Sequence, residues 1–258
     1  MLKNKKGLIL GIANDHSIAW GIAKSLYDEG AKIAITYQNE TLLKRVKPLS
    51  ESVKADLLIQ CDVSKENEIE NCFNNIKNKW KNIDFIIHAV AFSDKNELSG
   101  RYLDTSADNF LNTLNISCFS LTSISKSALN IMNPGGSIVT LSFYGSEKVI
   151  PNYNVMGIAK AALETSVKYL SVDLGSKNIR INAISAGPMR TLSGAGIKNA
   201  REVYKFAQKN SPLQRSVSLK EIGNTAKYLV SDLSSAVTGE ILYVDWGYNI
   251  MGMPSLNG

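Results

Sequence analysis

Tyr153 and Lys160 are the residues whose types and spacing first suggest chemistry. They are seven positions apart, close to two helical turns, so on a helix their side chains leave from one face. A lysine ammonium beside a tyrosine favours the phenolate, so the tyrosine could donate a proton or hydrogen bond to a developing oxyanion. An isolated tyrosine and lysine at this spacing are more often an interfacial tyrosine and a solvated lysine. A catalytic role therefore needs support from the rest of the chain. The next residues do follow the three- and four-residue spacing of a helix: Val155, Ile158, Ala159, Ala162 and Leu163.

A glycine turn near residue 11 joins a predicted strand, residues 7–11, to a predicted helix. A second predicted strand at 32–37 follows Gly30, so strand, glycine turn, helix and strand fall within about thirty residues. Such a turn lets the backbone approach a pyrophosphate, which the free amides of a helix N-terminus bind. The spacing is not G-x-G-x-x-G, so the turn alone fits a structural role as well as a dinucleotide site.

The same alternation of strand and helix continues to the C-terminal part of the chain. It predicts one α/β domain over residues 1–258, a Rossmann-type doubly wound sheet of about seven parallel strands with helices on both faces. A substrate-binding loop and helix are expected at about 187–210. The further predicted strands are 57–61, 85–91, 137–142, 179–184 and 241–245; the further helices are 66–80, a segment around 110, 115–132, 155–174, 195–210 and 219–229.

Composition excludes several classes of protein. The chain has 258 residues, 44% of them hydrophobic, which is enough for one large domain with a core. No apolar run approaches the ~20 residues of a membrane span and no secretory signal is recognisable, so a soluble protein is expected. Three cysteines without paired spacing suggest reduced thiols in a cytoplasm, and two histidines make a metal site unexpected. The net charge of +6 is too diffuse to indicate nucleic acid.

Four segments together resemble one family, the type I bacterial enoyl-[acyl-carrier-protein] reductases of the short-chain dehydrogenase/reductase superfamily. In that branch the lysine lies seven residues after the tyrosine, whereas most of the superfamily places it four after. The similarity runs from about residue 6 to about residue 252. The segments are Pro151–Gly157 with Ala159-Lys160, Asn182–Pro188, Ser17–Ala19 and Thr36–Asn39.

The resemblance implies a role for each matching residue. Tyr153 would be the proton donor or oxyanion stabiliser, Lys160 would hold the nicotinamide ribose, and Ser93 would lie near the acyl substrate. Val63 and Val90 would also fit a hydrophobic core, and Met189 would also fit loop packing. The other residues implied to contact the cofactor, NADH, are Gly11, Ser17, Ile18, Gln38, Asp62, Val63, Val90, Met189, Arg190, Thr191, Leu192 and Ser193.

One position departs from the family pattern. Members commonly carry a second tyrosine ten residues before the catalytic one, and this chain has Phe143 there. Phenylalanine also stands there in some branches that act on longer acyl chains, so activity is not excluded. Phe143 can orient a substrate only by contact, because its ring has no hydroxyl. Tyr144 follows it and is a further catalytic candidate in its place.

The implied activity is NADH-dependent reduction of the trans-2 double bond of an enoyl thioester on an acyl carrier protein, by a cytoplasmic homotetramer. One alternative is a carbonyl (3-oxoacyl) reductase of the superfamily, but the residue four after Tyr153 is Gly157 and not lysine. The other is a non-catalytic dinucleotide-binding regulator, which Phe143 keeps open. NADH is expected over NADPH, because the segment 37–40 has Glu40 and no cation for a 2′-phosphate.

A basic helix is predicted directly after the loop that would cover the substrate. Its four cations, Lys198, Arg201, Lys205 and Lys209, are spaced by three, four and four residues and would share one face. A solvated face is one explanation, and a binding surface for the acidic carrier protein is the other. Glu202 stands where some of the reductases that this chain resembles carry another lysine, and this difference would weaken that contact.

Overall fold

The computed structural model describes residues 1–189, 191 and 200–253, and its centre is a seven-stranded sheet. The strands are β1 (Lys6–Leu10), β2 (Lys32–Tyr37), β3 (Leu57–Gln60), β4 (Ile83–His88), β5 (Met132–Ser142), β6 (Arg180–Ala186) and β7 (Ile241–Val244). They lie in the order β3-β2-β1-β4-β5-β6-β7, and every neighbouring pair is parallel. The predicted doubly wound parallel sheet is therefore confirmed.

Helices connect the strands. They are α1 (Ile18–Asp28), α2 (Glu40–Ser52), α3 (Glu66–Trp80), α4 (Ala107–Leu114), α5 (Ser120–Ala128), α6 (Val155–Gly175), α7 (Ala200–Asn210) and α8 (Leu219–Val230). A π-helical segment, Asn115–Phe119, joins α4 to α5. None of the helices in the described ranges is long and apolar enough to cross a membrane.

The strands are buried on both faces because each contributes apolar side chains alternately to two clusters. On β1, Leu8 and Leu10 pack into one cluster with residues of α3, α5 and α6. Ile9 points the other way and packs with residues of α1 and α8. Since successive strand residues face opposite sides of a sheet, helices must cover both faces, as predicted.

Three predicted boundaries were wrong by three residues or more: strand β4 was expected to end at residue 91 and ends at His88, and the other two lie next to β5. Residues 115–132 were expected to form one helix that ends at the Pro134-containing turn, but helix α5 ends at Ala128. The strand already begins at Met132, which pairs with Ile83 of β4, and the register then shifts before Phe85 meets Ser137. Pairing across the sheet therefore overrides the local turn signal of Pro134. Helix α2 was not predicted at all.

Candidate active site

The glycine turn after β1 brings the backbone into the position that a dinucleotide site needs. Gly11 has a φ of +99°, and a Cβ there would lie 2.1 Å from the carbonyl oxygen of Ala89, so only glycine fits. Ser17 then folds the turn onto the start of α1, because its Oγ accepts hydrogen bonds from the amides of Ala13 (3.0 Å) and Asn14 (3.1 Å). The free amides at this helix N-terminus form a site suited to an anion.

Two of the predicted cofactor residues contact each other at the ends of β2 and β3. Gln38 donates from Nε2 to Oδ2 of Asp62 over 3.1 Å. Ser64 donates to the other oxygen of Asp62 from its amide and its hydroxyl, over 3.0 and 2.7 Å. Burial opposes the carboxylate charge, but these hydrogen bonds outweigh it and lower the pKa of Asp62. A charged acceptor is thus fixed where a ribose or adenine would lie.

Tyr153 lies just before the start of α6, and its side chain is only 7% exposed. The ring of Phe143 meets it edge-on, with 5.0 Å between the ring centroids. Gly145 lies so close that a Cβ there would be 2.4 Å from Cδ1 of Tyr153. The tyrosine ring is therefore held by residues of the segment that follows β5.

Lys160 lies further along α6 and is 6% exposed. Its Nζ donates to the carbonyl oxygen of Leu141, on β5, over 2.7 Å. Burial lowers the pKa of Lys160 to about 8, although the charge of Glu164 and, to a smaller extent, Cys118 raise it. A lysine exposed to solvent keeps its proton to a much higher pH than this. Shifts of lysine pKa of this size cluster at functional sites.

The electrostatic effect on Tyr153 differs from the sequence expectation. Lys160 was expected to favour the phenolate, but burial, followed by the nearby charge of Glu164, raises the pKa of Tyr153. The hydroxyl therefore keeps its proton at neutral pH. A neutral phenol can donate a hydrogen bond or a proton to an oxyanion, which is the role inferred from the sequence, but it needs no phenolate to do so.

One cavity of about 480 Å³ lies at the carboxyl ends of the strands and is lined by the glycine turn, Gln38, Asp62, Tyr153 and Lys160. This size is within the range of small-molecule and cofactor sites. Arg190, Leu192 and Ser193 lie outside the described residues. The predicted residues that line the cavity are Gly11, Ser17, Ile18, Gln38, Asp62, Val63, Val90, Ser93, Phe143, Tyr153, Lys160, Met189 and Thr191.

Tyr144 is placed away from this group. It is buried, and its ring packs edge-on against Tyr243 and Tyr248, with centroid distances of 6.5 and 5.8 Å. Phe143, one residue earlier, turns toward Tyr153 instead. The placement of Tyr144 in a separate aromatic cluster does not support its candidacy as a replacement hydroxyl.

Ser93 is held by a buried polar network rather than left free on its loop. Its Oγ donates to Oδ1 of Asn109 over 3.3 Å and accepts from Oγ1 of Thr113 over 3.0 Å. Asn109 also accepts from the amide of Asp94 over 2.9 Å and donates to Glu97 over 3.2 Å. Helix α4 therefore fixes the start of the loop that lines the predicted acyl side of the cavity.

Sequence reasoning missed the apolar wall beside Tyr153. Leu98 and Met156 are buried there in a small cluster of their own, against which Phe110, Phe143 and Ile150 pack. On α7, Val203 and Tyr204 also line the cavity. Only the tertiary fold shows that these two side chains face the cavity.

Metal-ligand and disulfide chemistry find no support in the described part of the chain. No group of three or more potential metal ligands lies together in these ranges. Cys61, Cys72 and Cys118 are free and buried. A hydrogen bond with Cys61, followed by burial, raises the pKa of Cys72, so that thiol stays protonated.

A family model described as enoyl-(acyl carrier protein) reductase matches residues 11–249, which is most of the chain. The chain belongs to the enoyl-[acyl-carrier-protein] reductase family. A reductase of this family from Rhizobium meliloti, enoyl-[acyl-carrier-protein] reductase [NADH] 2, is 57% identical over 256 residues, which cover 99% of this chain and 96% of that protein.

Solved enoyl-[acyl-carrier-protein] reductases have the same fold. The crystal structure of FabI from Candidatus Liberibacter asiaticus superposes with a TM-score of 0.96 at 56% identity, covering 98% of each chain. The reductase from Anaplasma phagocytophilum, solved in complex with NAD, has a TM-score of 0.95 at 51% identity, covering all of this chain and 96% of that one.

Proposed function

We propose that the protein is an NADH-dependent enoyl-[acyl-carrier-protein] reductase of bacterial type II fatty-acid elongation. It reduces the trans-2 double bond of an enoyl thioester attached to an acyl carrier protein. The observation that carries this proposal is the joint placement of Tyr153 and Lys160, seven residues apart, in the cavity that also holds the glycine turn of Gly11. The activity for which the family and its Rhizobium meliloti member are named supports the same conclusion.

The cavity fits NADH at both ends. The glycine turn at Gly11 and the amides in the first turn of α1 suit a pyrophosphate, and Asp62 with Gln38 suits the adenosine end. Bound NADH would supply the hydride that adds to the β-carbon of the enoyl thioester. Lys160 is the group that would hold the nicotinamide ribose.

The protein's own contribution is to stabilise the charge that develops on the thioester oxygen. Tyr153, as a neutral phenol, would donate a hydrogen bond to that oxygen, and uptake of a proton from solvent at the α-carbon would complete the saturated thioester. The dry, apolar surroundings formed by Leu98, Met156 and Phe143 strengthen this bond, because water does not compete for the donor. A well-placed donor of this kind contributes about 3–4 kcal/mol to the transition state.

The direct test compares two substrates with the purified protein. Oxidation of NADH is followed by its absorbance with crotonyl and acetoacetyl thioesters of coenzyme A in parallel. Reduction of the crotonyl thioester supports the proposal. Reduction of only the acetoacetyl thioester would favour the carbonyl reductase, and NADH binding without either reaction would favour the regulator.

The basic face of α7 is the proposed binding surface for the carrier protein. Arg201, Lys205 and Lys209 are exposed and spaced by four residues, whereas Val203 and Tyr204 on the same helix line the cavity. Lys198, the fourth predicted cation, lies outside the described residues. A carrier bound here would deliver its acyl chain directly into the cavity, and attraction between opposite charges would speed the encounter.

Charge reversal on α7 tests this surface. Arg201→Glu with Lys205→Glu should raise KM for the carrier-linked substrate and leave KM for a short coenzyme A thioester nearly unchanged. Lys77→Glu with Lys79→Glu on α3 makes the same charge change elsewhere and is the control. The wild-type carrier reaction should slow as salt rises, because exposed charges are screened beyond about 8–10 Å. Equal effects on both substrates would mean a disturbed cavity and not a docking surface.

The proposal also includes an oligomeric state and a compartment: the protein is a homotetramer in the cytoplasm. Exposed apolar side chains on the outer side of the π-helical segment and α6, among them Phe119, Tyr169 and Val172, support burial in a subunit interface. The three free thiols support a reducing compartment. Light scattering during gel filtration gives the oligomer mass, and a monomer would exclude the tetramer; fractionation of the native cells tests the compartment.

A further inference from the structure

Glu164 is a buried carboxylate that the proposed reaction leaves without a role. It lies one helical turn beyond Lys160 on α6 and is 8% exposed. A buried carboxylate costs several kcal/mol unless hydrogen bonds compensate for its lost hydration. Its partners therefore indicate what it does.

Both identified partners lie on one short segment. The hydroxyl of Ser142, the last residue of β5, donates to Oε1 of Glu164, and the hydroxyl of Ser146 donates to the same oxygen over 2.7 Å. Ser142 pairs with Ser185 of β6 and is therefore fixed in the sheet, and Ser146 ends the short turn that follows. One oxygen atom thus ties both ends of residues 142–146, which we call the clamped segment, to helix α6.

The clamped segment carries the contacts that hold the tyrosine ring. Phe143 packs edge-on against Tyr153 at 5.0 Å, and Gly145 lies against the same ring without room for a side chain. Gly145 also approaches the helix itself, since a Cβ on Gly157 would be 2.8 Å from the carbonyl oxygen of Gly145. A shift of the segment would therefore move the walls on which Tyr153 rests.

The electrostatic surroundings link Glu164 to Lys160 as well. The charge of Glu164 raises the pKa of Lys160 against the larger effect of burial, and Cys118 from the π-helical segment adds to it. From β4, His88 is buried near the same ammonium, and burial, followed by the charge of Lys160, lowers the pKa of that imidazole. The charge of Glu164 therefore keeps Lys160 protonated to a higher pH than burial alone would allow.

We propose that Glu164 is a positioning residue: by binding Ser142 and Ser146 through Oε1 it holds Phe143 and Gly145 against Tyr153, so that the phenol points at the reacting thioester. This inference rests on the proposed reductase function. Glu164 itself need not touch substrate or cofactor. The orientation matters because a displacement of about 1 Å of a reacting group can cost about a hundredfold in rate.

Three changes separate the hydrogen bonds from the charge. Ser142→Ala with Ser146→Ala removes both bonds and keeps the carboxylate. Glu164→Gln removes the charge but keeps an amide oxygen able to accept from both hydroxyls. Glu164→Ala removes both features. Asp173→Asn, at an exposed carboxylate on the same helix, is the control for loss of charge on α6.

The readouts are kcat and KM for the crotonyl thioester, Kd for NADH from its fluorescence, and the pH profile of kcat/KM. The double serine variant should lower kcat by about tenfold to a hundredfold, with Kd for NADH nearly unchanged and the pH profile in place. Glu164→Gln should keep kcat within about threefold of the wild type. The fall of its kcat/KM at high pH should begin at a lower pH, because Lys160 loses the negative charge that raises its pKa. Glu164→Ala should combine both effects, and Asp173→Asn should show neither.

The outcomes distinguish the inference from the function on which it rests. If the wild type reduces no enoyl thioester, the proposed function fails first. If the wild type is active and the double serine variant keeps its kcat, the positioning role is wrong. An equal loss of kcat, NADH affinity and thermal stability in the serine variants would also overturn it, because it would show general loosening of the fold. If Ser146→Ala alone lowers kcat with unchanged NADH affinity, the role stands even where the double variant does not fold.

Discussion

The ring of Phe143 meets the ring of Tyr153 edge-on, with 5.0 Å between the ring centroids. An edge-to-face pair of this kind fixes ring orientation through the aromatic quadrupoles and packing alone. Phe143 offers no hydroxyl, so Tyr153 is the member of this ring pair that can donate a hydrogen bond to the thioester oxygen in the proposed reaction. The orientation of that phenol depends on two neighbours, Phe143 and Gly145.

Replacing that phenol gives the first prediction. Tyr153→Phe should lower kcat by about a hundredfold to a thousandfold, because the hydroxyl acts on charge that exists only in the transition state. Kd for NADH should change little. Tyr228→Phe, at the end of α8, is the matched control and should keep wild-type rates. Wild-type turnover by Tyr153→Phe would exclude the oxyanion role.

Tyr144→Phe should leave kcat within about twofold of the wild type. The ring of Tyr144 packs against Tyr243 and Tyr248, and the cavity wall at this point is formed by Phe143. Steady-state kinetics with the crotonyl thioester measure the effect. A loss as large as that of Tyr153→Phe would show that Tyr144 swings into the cavity and supplies the missing hydroxyl.

The pH dependence should report Lys160. Burial lowers its pKa to about 8, so the ammonium is present below that pH and lost above it. We expect the charge of Lys160 to hold the cofactor and Tyr153 in place. The value of kcat/KM, which reports on the groups of the free enzyme, should therefore fall as pH rises through about 8. The arginine of Lys160→Arg stays charged in this pH range, so any kcat/KM that this variant retains should not fall as the pH rises. A wild-type profile that stays flat well above this pH would contradict the assignment.

A second titration concerns stability. His88 is buried between Thr140 and Ser120, with ring nitrogens 3.0 and 2.8 Å from their hydroxyls, and burial lowers its pKa to about 3. Between pH 6.5 and that value the unfolded chain binds a proton that the folded chain does not. Stability should therefore fall as pH falls, by up to roughly 1.4 kcal/mol per pH unit.

Thermal unfolding at a series of pH values measures this effect. His88→Gln should be less stable than the wild type at neutral pH. Its free energy of unfolding should, however, fall less steeply than that of the wild type as the pH is lowered. His16→Gln, at the exposed histidine, should keep the wild-type slope. If His88→Gln declines as steeply as the wild type, another group must cause the acid sensitivity.

The fold could be predicted well because its strands are short apolar runs between glycine, proline and polar turns. The predicted range 32–37 matches β2, and 66–80 matches α3. Helix α2 was missed because Pro48 in its interior and its polar composition weaken the pattern. A start signal was nevertheless present: Asn39 accepts a hydrogen bond from the amide of Leu42 and caps the helix.

The site could be predicted only as far as motif positions allowed. Tyr153, Lys160 and Gly11 were found because each stands in a recognisable local pattern, and the fold brings all three to one cavity. Glu164 was not found, since a glutamate on a helix normally belongs to the solvated face. Its burial depends on β5 and the turn after it, which approach α6 only in the folded protein.

Cofactor choice gives the last prediction. Glu40 is exposed in the first turn of α2, two residues after Gln38, and its charge would repel the 2′-phosphate of NADPH. The wild type should favour NADH by about tenfold or more in kcat/KM, and Glu40→Gln should narrow that ratio, since a single close repulsion is worth about 1 kcal/mol in water. Glu51→Gln, near the other end of α2, is the control and should leave the ratio unchanged. Preference for NADPH that disappears in Arg45→Gln would instead show that a cation of α2 reaches the phosphate.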